Sequence, residues 1–470
     1  MRKATRLYVL LGVLLAVCIA AFAVSRHEEK KEQIKNSGEV ILEIPTDSVT
    51  ALSWTNDSGT FSFTRDENWV CDEDADFPVD GEKIDSLLEQ FTCFAASFVI
   101  DDVEDYAQYG LDEPICTIRM TAGEESYTVE LGDFSKMDEQ RYLSTGDGRV
   151  YLVSHDPLEE FDAVLQDLIL NDTIPEIDTV EQIAFSGSES YTILRDEDGK
   201  NICTDDIYFA DGQPLDTDNV DTFLSAIRSL SLTDCASYHA TDEELAAFGL
   251  DDPELTITLA YGAGDDDADS ESSGSLLLCV SRDPEEAAAY EAAAEEGETA
   301  LPDVTCYVRV GQSQIVYKIS QSVYDQLTAV SYDALRHQKL FTADFDTVTG
   351  IDAALNGETY TFTYTPPEDG SAAGTWTCGG EEFDVSGLKT ALRAISASSF
   401  TDETPTGTGQ EEISLTVHLD NEDFPTFTLT LYRLDGTSCV AAVNGKTVAL
   451  VSRSKTVDLI EAVNKLTLGS

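Results

Sequence analysis

Across 470 residues, 90 Asp and Glu face only 28 Lys and Arg, for a net charge of −62. That balance argues against nucleic-acid binding, which rests on clustered Lys and Arg, and for cationic or uncharged partners. With 42% hydrophobic residues the chain can bury real cores, which predicts a globular protein of about two to four domains.

The chain opens with Arg2, Lys3 and Arg6, then the uncharged run Leu7–Val24, "LYVLLGVLLAVCIAAFAV", then the charged "SRHEEKKEQIK". Eighteen apolar residues reach the lower edge of what spans a bilayer. The basic N-terminus stays cytoplasmic, so the remaining chain is expected on the outer face. A single-pass anchor over residues 1–35 is the expected reading. Cleavage at Ala21-Phe22-Ala23, giving a secreted protein, is the alternative. Cys18 follows Val17, a poor fit to a lipid-attachment site.

Three copies of one unit follow. "DSVTALSW" from Asp47, "DTVEQIAF" from Asp178 and "DTVTGIDA" from Asp346 each lead into a second alternating string, as in a half-buried hairpin. Helical periodicity comes next, at 80–91, 216–227 and 384–395, with Ile84, Leu87, Leu88 and Phe91 on one face. Each copy closes as strand, tight turn, strand, helix, over 141–165, 306–330 and 439–463. Asp147-Gly148 and Asn444-Gly445 suit two-residue turns that need positive φ. The predicted fold class is α+β: three tandem repeats of antiparallel hairpins with one or two packed helices, at 36–172, 173–338 and 339–470.

The middle repeat is longer because of acidic insertions at 262–275 and 282–303, and residues 262–303 hold 13 acids and one base, Arg282. Asp283 as N-cap, Pro284 at the first position and Gly297 as the stop predict a short exposed helix. Added length at hairpin tips costs little.

No catalytic, cofactor or metal residue is assigned from these motifs. "NGKT" at 444–447 lacks the earlier glycine of a P-loop, since Val440 stands there, and reads as a hairpin turn. His27, His155, His239, His337 and His418 have no paired spacing, and no G-x-S-x-G occurs. The "GDDDADSESSGS" loop lacks the ordered spacing of a calcium loop and reads as solvated acid. None of the ten cysteines forms C-x-x-C. Cys71, Cys203 and Cys378 are read as equivalent, as are Cys93 and Cys235. Disulfides Cys71–Cys93 and Cys203–Cys235 are therefore conceivable, with buried reduced thiols the default. Trp69 and Trp376 read as hairpin-end packing.

The phrases "YGLDEPICTIRM" (109–120) and "FGLDDPELTITL" (248–259) are read as joints. A helix capped by Thr241 and Glu244, or by Asp102 and Asp105, stops at Gly249 or Gly110. Leu250 or Leu111 packs back, and Asp-acid-Pro forces an extended exit into a strand. In the third repeat Gly409 and Glu411 align with the Gly and Asp, while helix, leucine and proline are gone.

Those phrases, with "FPVDGEKIDSLLEQF", "GDGRVYLVS" and the N-terminal apolar segment, resemble the bacterial family known as domain of unknown function 4340, over about residues 40–333. The resemblance implies a membrane-attached, extracytoplasmic protein linked with auxiliary components of ABC-type transport systems, and carries no catalytic residue. The expected function is a non-enzymatic accessory or binding protein held in the membrane through Leu7–Val24, with a transporter or envelope protein as partner. The alternatives are a cell-envelope enzyme using Asp112 or Asp251 as acid and base, and a structural spacer.

Overall fold

A computed structural model describes residues 38–263, 272–297, 300–367 and 374–467. The Leu7–Val24 run and the acidic tip at 264–271 lie outside the described residues. Among the described residues no helix is long and apolar enough to cross a membrane. The chain divides into two compact units, one running to Asp172 and including Cys235–Ala240, the other comprising Thr173–Asp234 and the chain from Thr241 on.

The fold is a sheet-rich α+β arrangement. In the first unit an eight-stranded antiparallel sheet runs Trp69–Cys71, Gly59–Arg65, Val49–Asn56, Cys116–Ala122, Glu125–Ser135, Gln140–Ser144, Val150–Val153 and Phe98–Ile100. Two further sheets, of nine strands each, are built to the same order. At their centres Leu52 stands opposite Met120, Ile183 opposite Leu259 and Ile351 opposite Val417. All six are at most 1% exposed. Each first strand also slips register at the same place, at Val49/Ala51, Val180/Gln182 and Val348/Gly350. A bulge that recurs at one position is a built feature of the repeat.

In each repeat an amphipathic helix buries its apolar face, and in the third the final helix joins it. Asp80 caps Gly81–Glu89 by accepting from the Glu82 and Lys83 amides, and Ile84, Leu87 and Leu88 are buried. Asp216 caps Thr217–Arg228 in the same way, burying Val220, Phe223, Leu224 and Ile227. In the third repeat Leu388, Ala391 and Leu392 of Ser386–Arg393 meet Leu459 and Val463 of the final helix, Arg453–Thr467, in one core. Each such side chain is worth about 1.5–3 kcal/mol on burial, so the apolar spacing decides which helix face turns inward.

Turn chemistry departs from expectation in the first repeat. Asn444-Gly445 has both residues at positive φ, 51° and 79°, as a two-residue turn requires. In the first repeat the positive φ values fall on Gly146 and Gly148 instead. The Asp147 carboxylate is occupied locally, accepting from the Arg149 amide at 3.1 Å and pairing with its guanidinium at 2.8 Å. Two further turns of the expected kind, Asp211-Gly212 and Asn356-Gly357, went unread in the sequence. The acidic insertion does form its helix, Pro284–Glu295, capped by Asp283 and followed by Gly297 at φ 75°.

The joint phrases behave as read, with one exception. Gly110 and Gly249 both sit at φ 69°. The Leu250 amide donates to Leu245 O at 2.8 Å and the Gly249 amide to Ala246 O at 3.1 Å, while Leu111 and Gly110 repeat the pattern on Tyr106 and Ala107. This is the Schellman stop. Thr241 and Glu244 form the reciprocal capping box. In the first repeat only one tight turn forms, Ala107–Tyr109. Asp102 lies in the left-handed region at φ 53°, outside any cap, and Asp105 alone accepts, from the Ala107 amide. In the third repeat the sheet register places Gly407, at φ 93°, where Gly249 stands, so the pairing with Gly409 is corrected.

The joint of the middle repeat also carries a charge. Glu254 receives Arg282 at 2.7 Å and the Tyr324 hydroxyl at 2.6 Å. Burial pushes its carboxyl up, but Arg282 and Tyr324 outweigh this and hold it below the usual 4.5. A carboxylate depressed in the folded state contributes stability above its unfolded pKa and loses it as pH falls through the folded value. Glu254→Gln should therefore melt earlier than the parent at neutral pH, and the gap should close as pH drops below about 4. Melting temperatures taken across pH 3–8 check this, and a gap that persists at the acidic end contradicts it.

Candidate functional site

Where the first repeat spans from Arg65 to Trp69 by Asp66–Asn68, the middle repeat takes the longer path Asp196–Ile207 between the paired residues Arg195 and Tyr208. The register makes Trp69, Tyr208 and Trp376 equivalent, and Cys71 and Ala210 equivalent. Cys203 is thus no counterpart of Cys71, which corrects the sequence alignment. It lies on the added loop.

That loop is fixed at several points within the second unit. Lys200 pairs with Asp423 at 2.7 Å, Ile202 packs against the core of the third sheet, and the Asn201 amide donates to Asp206. The loop presents Cys203 and Asp206 to His337, which lies on the connector after the middle repeat. His337 Nε2 meets Asp206 Oδ2 at 2.7 Å, and Nδ1 meets Asp216 Oδ2 at 3.1 Å. Asp206 has only 2% of its side chain exposed, His337 21%. Cys203 Sγ, an Asp206 carboxylate oxygen and a His337 ring nitrogen all lie within 4.8 Å of one another.

Two clefts meet at this cluster. One, of about 590 Å³, is lined by Cys203, Asp205, Asp216, Asn219, His337 and Arg393. The other, of about 280 Å³, has Ile202, Leu340, Phe400, Phe424 and Phe427 in its wall, with Arg336 stacked over Phe400 at 3.8 Å. An apolar wall with a few convergent polar groups is the usual composition of a ligand site.

The electrostatics bear on catalysis. Burial pushes the His337 imidazole down, but hydrogen bonds to Asp206 and Cys203 and the charges of Asp206 and Asp216 carry it up to about 10. An imidazole that already holds its proton at neutral pH cannot act there as a general base. The carboxylates Asp112 and Asp251 are both exposed on their joints. His418 faces Asp352 across the third sheet at 2.8 Å on a half-exposed surface. Trp69 is buried and donates from Nε1 to Asp85, while Trp376 lies beside Tyr364.

No local motif marks the cluster, because 203–206 and 337 are far apart in sequence and the spacing after the second hairpin strand places Cys203 at a strand end. The available signal was the excess length of Asp196–Ile207 over the first repeat. The nine cysteines among the described residues stand outside any disulfide, and four of them, Cys71, Cys116, Cys306 and Cys439, are buried.

No curated protein and no solved structure matches the chain. The model of a family described as Domain of unknown function (DUF4340) matches twice, over residues 69–237 and 207–412. The two matches begin at Trp69 and Ile207, beside the equivalent Trp69 and Tyr208, and the second extends well into the third repeat, further than the sequence phrases reach. The chain belongs to this family of domain of unknown function, DUF4340.

Proposed function

We propose that the protein is a membrane-anchored, extracytoplasmic accessory or binding protein that serves an ABC-type transport system. The observation that carries this reading is the N-terminus, where Arg2, Lys3 and Arg6 precede the uncharged run Leu7–Val24 and a long acidic body follows. Basic flanks stay cytoplasmic and direct the rest outward. Binding is favoured over chemistry because both ring nitrogens of His337 are engaged by carboxylates, Nε2 by Asp206 and Nδ1 by Asp216. The two clefts around His337 would then be where a ligand or partner segment is received.

Chemical crosslinking of intact cells, followed by purification of the full chain from detergent-solubilised membranes, tests the partner. Transporter subunits are expected to co-purify in repeated preparations. Recovery of the chain alone each time would remove the accessory role.

A further inference from the structure

We propose that Cys203, Asp206 and His337 form a binding site for a single divalent transition-metal ion of the zinc class, with Asp216 as the outer carboxylate. Ligands around a tetrahedral zinc stand about 3.3–3.8 Å apart when the bonds are about 2.0–2.3 Å. The three donor atoms already lie within 4.8 Å of one another. Holding a metal therefore needs side-chain adjustment of the half-buried Cys203 and His337, with His337 Nε2 opening from its 2.7 Å contact with Asp206, which is itself fixed by its burial and by Asn201.

The arrangement has the second shell that metal-binding histidines use. A ligating imidazole ordinarily donates its other N–H to a carboxylate, which sets tautomer and ring orientation. His337 turns Nε2 towards Asp206 and Nδ1 towards Asp216. Asp216 is itself held as the N-cap of Thr217–Arg228, accepting from the Asp218 amide at 3.1 Å. The ligands and the outer carboxylate are thus positioned from three segments that fold for other reasons.

The donor set chooses the ion. A thiolate, an imidazole and a carboxylate suit zinc and its neighbours, whereas calcium and magnesium take oxygen donors. Three protein ligands leave a fourth position, and it opens to the cleft bounded by Asp205 and Asn219. On binding, the metal takes the place of the proton shared between His337 and Asp206. That proton and the Cys203 thiol proton leave to solvent. This proposal goes beyond the anchored binding role and needs neither the anchor nor a partner.

The test uses the detergent-solubilised full chain in a non-chelating reductant, with zinc and cobalt(II) as the probes. The expected result is one tightly held zinc per chain, and a cobalt form with the intense sulfur-to-metal absorption of a tetrahedral thiolate site. Cys203→Ala should abolish that absorption, and Asp216→Asn should weaken zinc by about 10- to 100-fold without changing the ligand set. Equal metal content in the parent and Cys203→Ala, or a cobalt spectrum without sulfur ligation in the parent, would overturn the site. If Cys203→Ala fails to fold, the Asp216→Asn comparison decides, and an affinity unchanged from the parent counts against it. Loss of transporter co-purification would leave these results untouched, so the two proposals fail separately.

Discussion

Asp156→Ala is expected to destabilise the first unit by about 3–5 kcal/mol, the cost of leaving a buried charge without its partner. Arg141 and Asp156 have only 10% and 9% of their side chains exposed. The guanidinium donates to both Asp156 oxygens, at 2.6 Å through Nη2 and at 2.9 and 3.0 Å through Nε, and sends Nη1 to the Gly132 carbonyl at 3.0 Å. Asp156 also accepts from the Leu158 amide at 3.0 Å, so it ties the turn Leu158–Phe161 to the strand Gln140–Ser144. Removing the carboxylate leaves the buried guanidinium with the Gly132 carbonyl and the Phe134 ring, over which it lies at 5.3 Å. Replacing both partners with apolar residues of similar volume should cost far less, because no desolvated charge then remains. Hydrogen exchange of the Gln140–Ser144 amides, with chemical unfolding of both variants, measures the difference. Equal losses in the single and double replacements would show that the pair acts through packing alone.

The second large effect is expected at the joints. Gly110→Ala and Gly249→Ala should each cost about 2–3 kcal/mol, while Gly123→Ala should cost about 1. All three glycines have φ between 62° and 69°, so the backbone penalty of a left-handed alanine is common to them. They differ in surroundings. A Cβ on Gly110 would lie 2.7 Å from Asp133 Cγ and 2.9 Å from the Asp133 amide nitrogen. On Gly249 it would lie 2.8 Å from Ser281 Oγ and 3.0 Å from the Arg282 carbonyl, whereas on Gly123 it meets nothing within 4 Å. The backbone atoms cannot swing aside as a side chain can. Equal melting temperatures for the three variants would mean that the close approach costs nothing and that conformation alone selects glycine.

These positions also show what a sequence can express. The strands, the helix faces and the Schellman stops are local patterns of periodicity, capping residues and positive-φ turns, and they were readable from one chain. Gly110 and Gly249 were found because a helix stop leaves its mark within a few residues. Asp102 and Asp105 have the spacing of a capping box, yet only the single tight turn Ala107–Tyr109 forms, with Asp105 alone accepting from the Ala107 amide. The Cys203–Asp206–His337 cluster leaves no local mark for another reason: its members come from a loop and a connector far apart in sequence, brought together only by packing. The position of Cys203 was misread since alignment by sequence slid over the added loop, and only the pairing of Arg195 with Tyr208 restores the register. A similar slip placed Gly409 where the register puts Gly407.

Protease treatment of intact spheroplasts, followed by carbonate extraction of the membranes, tests the proposed anchored, outward-facing placement most directly. The full chain is expected to resist carbonate and yield to detergent, and external protease to digest the body from residue 36 onward while leaving the short basic N-terminus protected. A chain that is released without detergent, or a body shielded from external protease in intact cells, would contradict it.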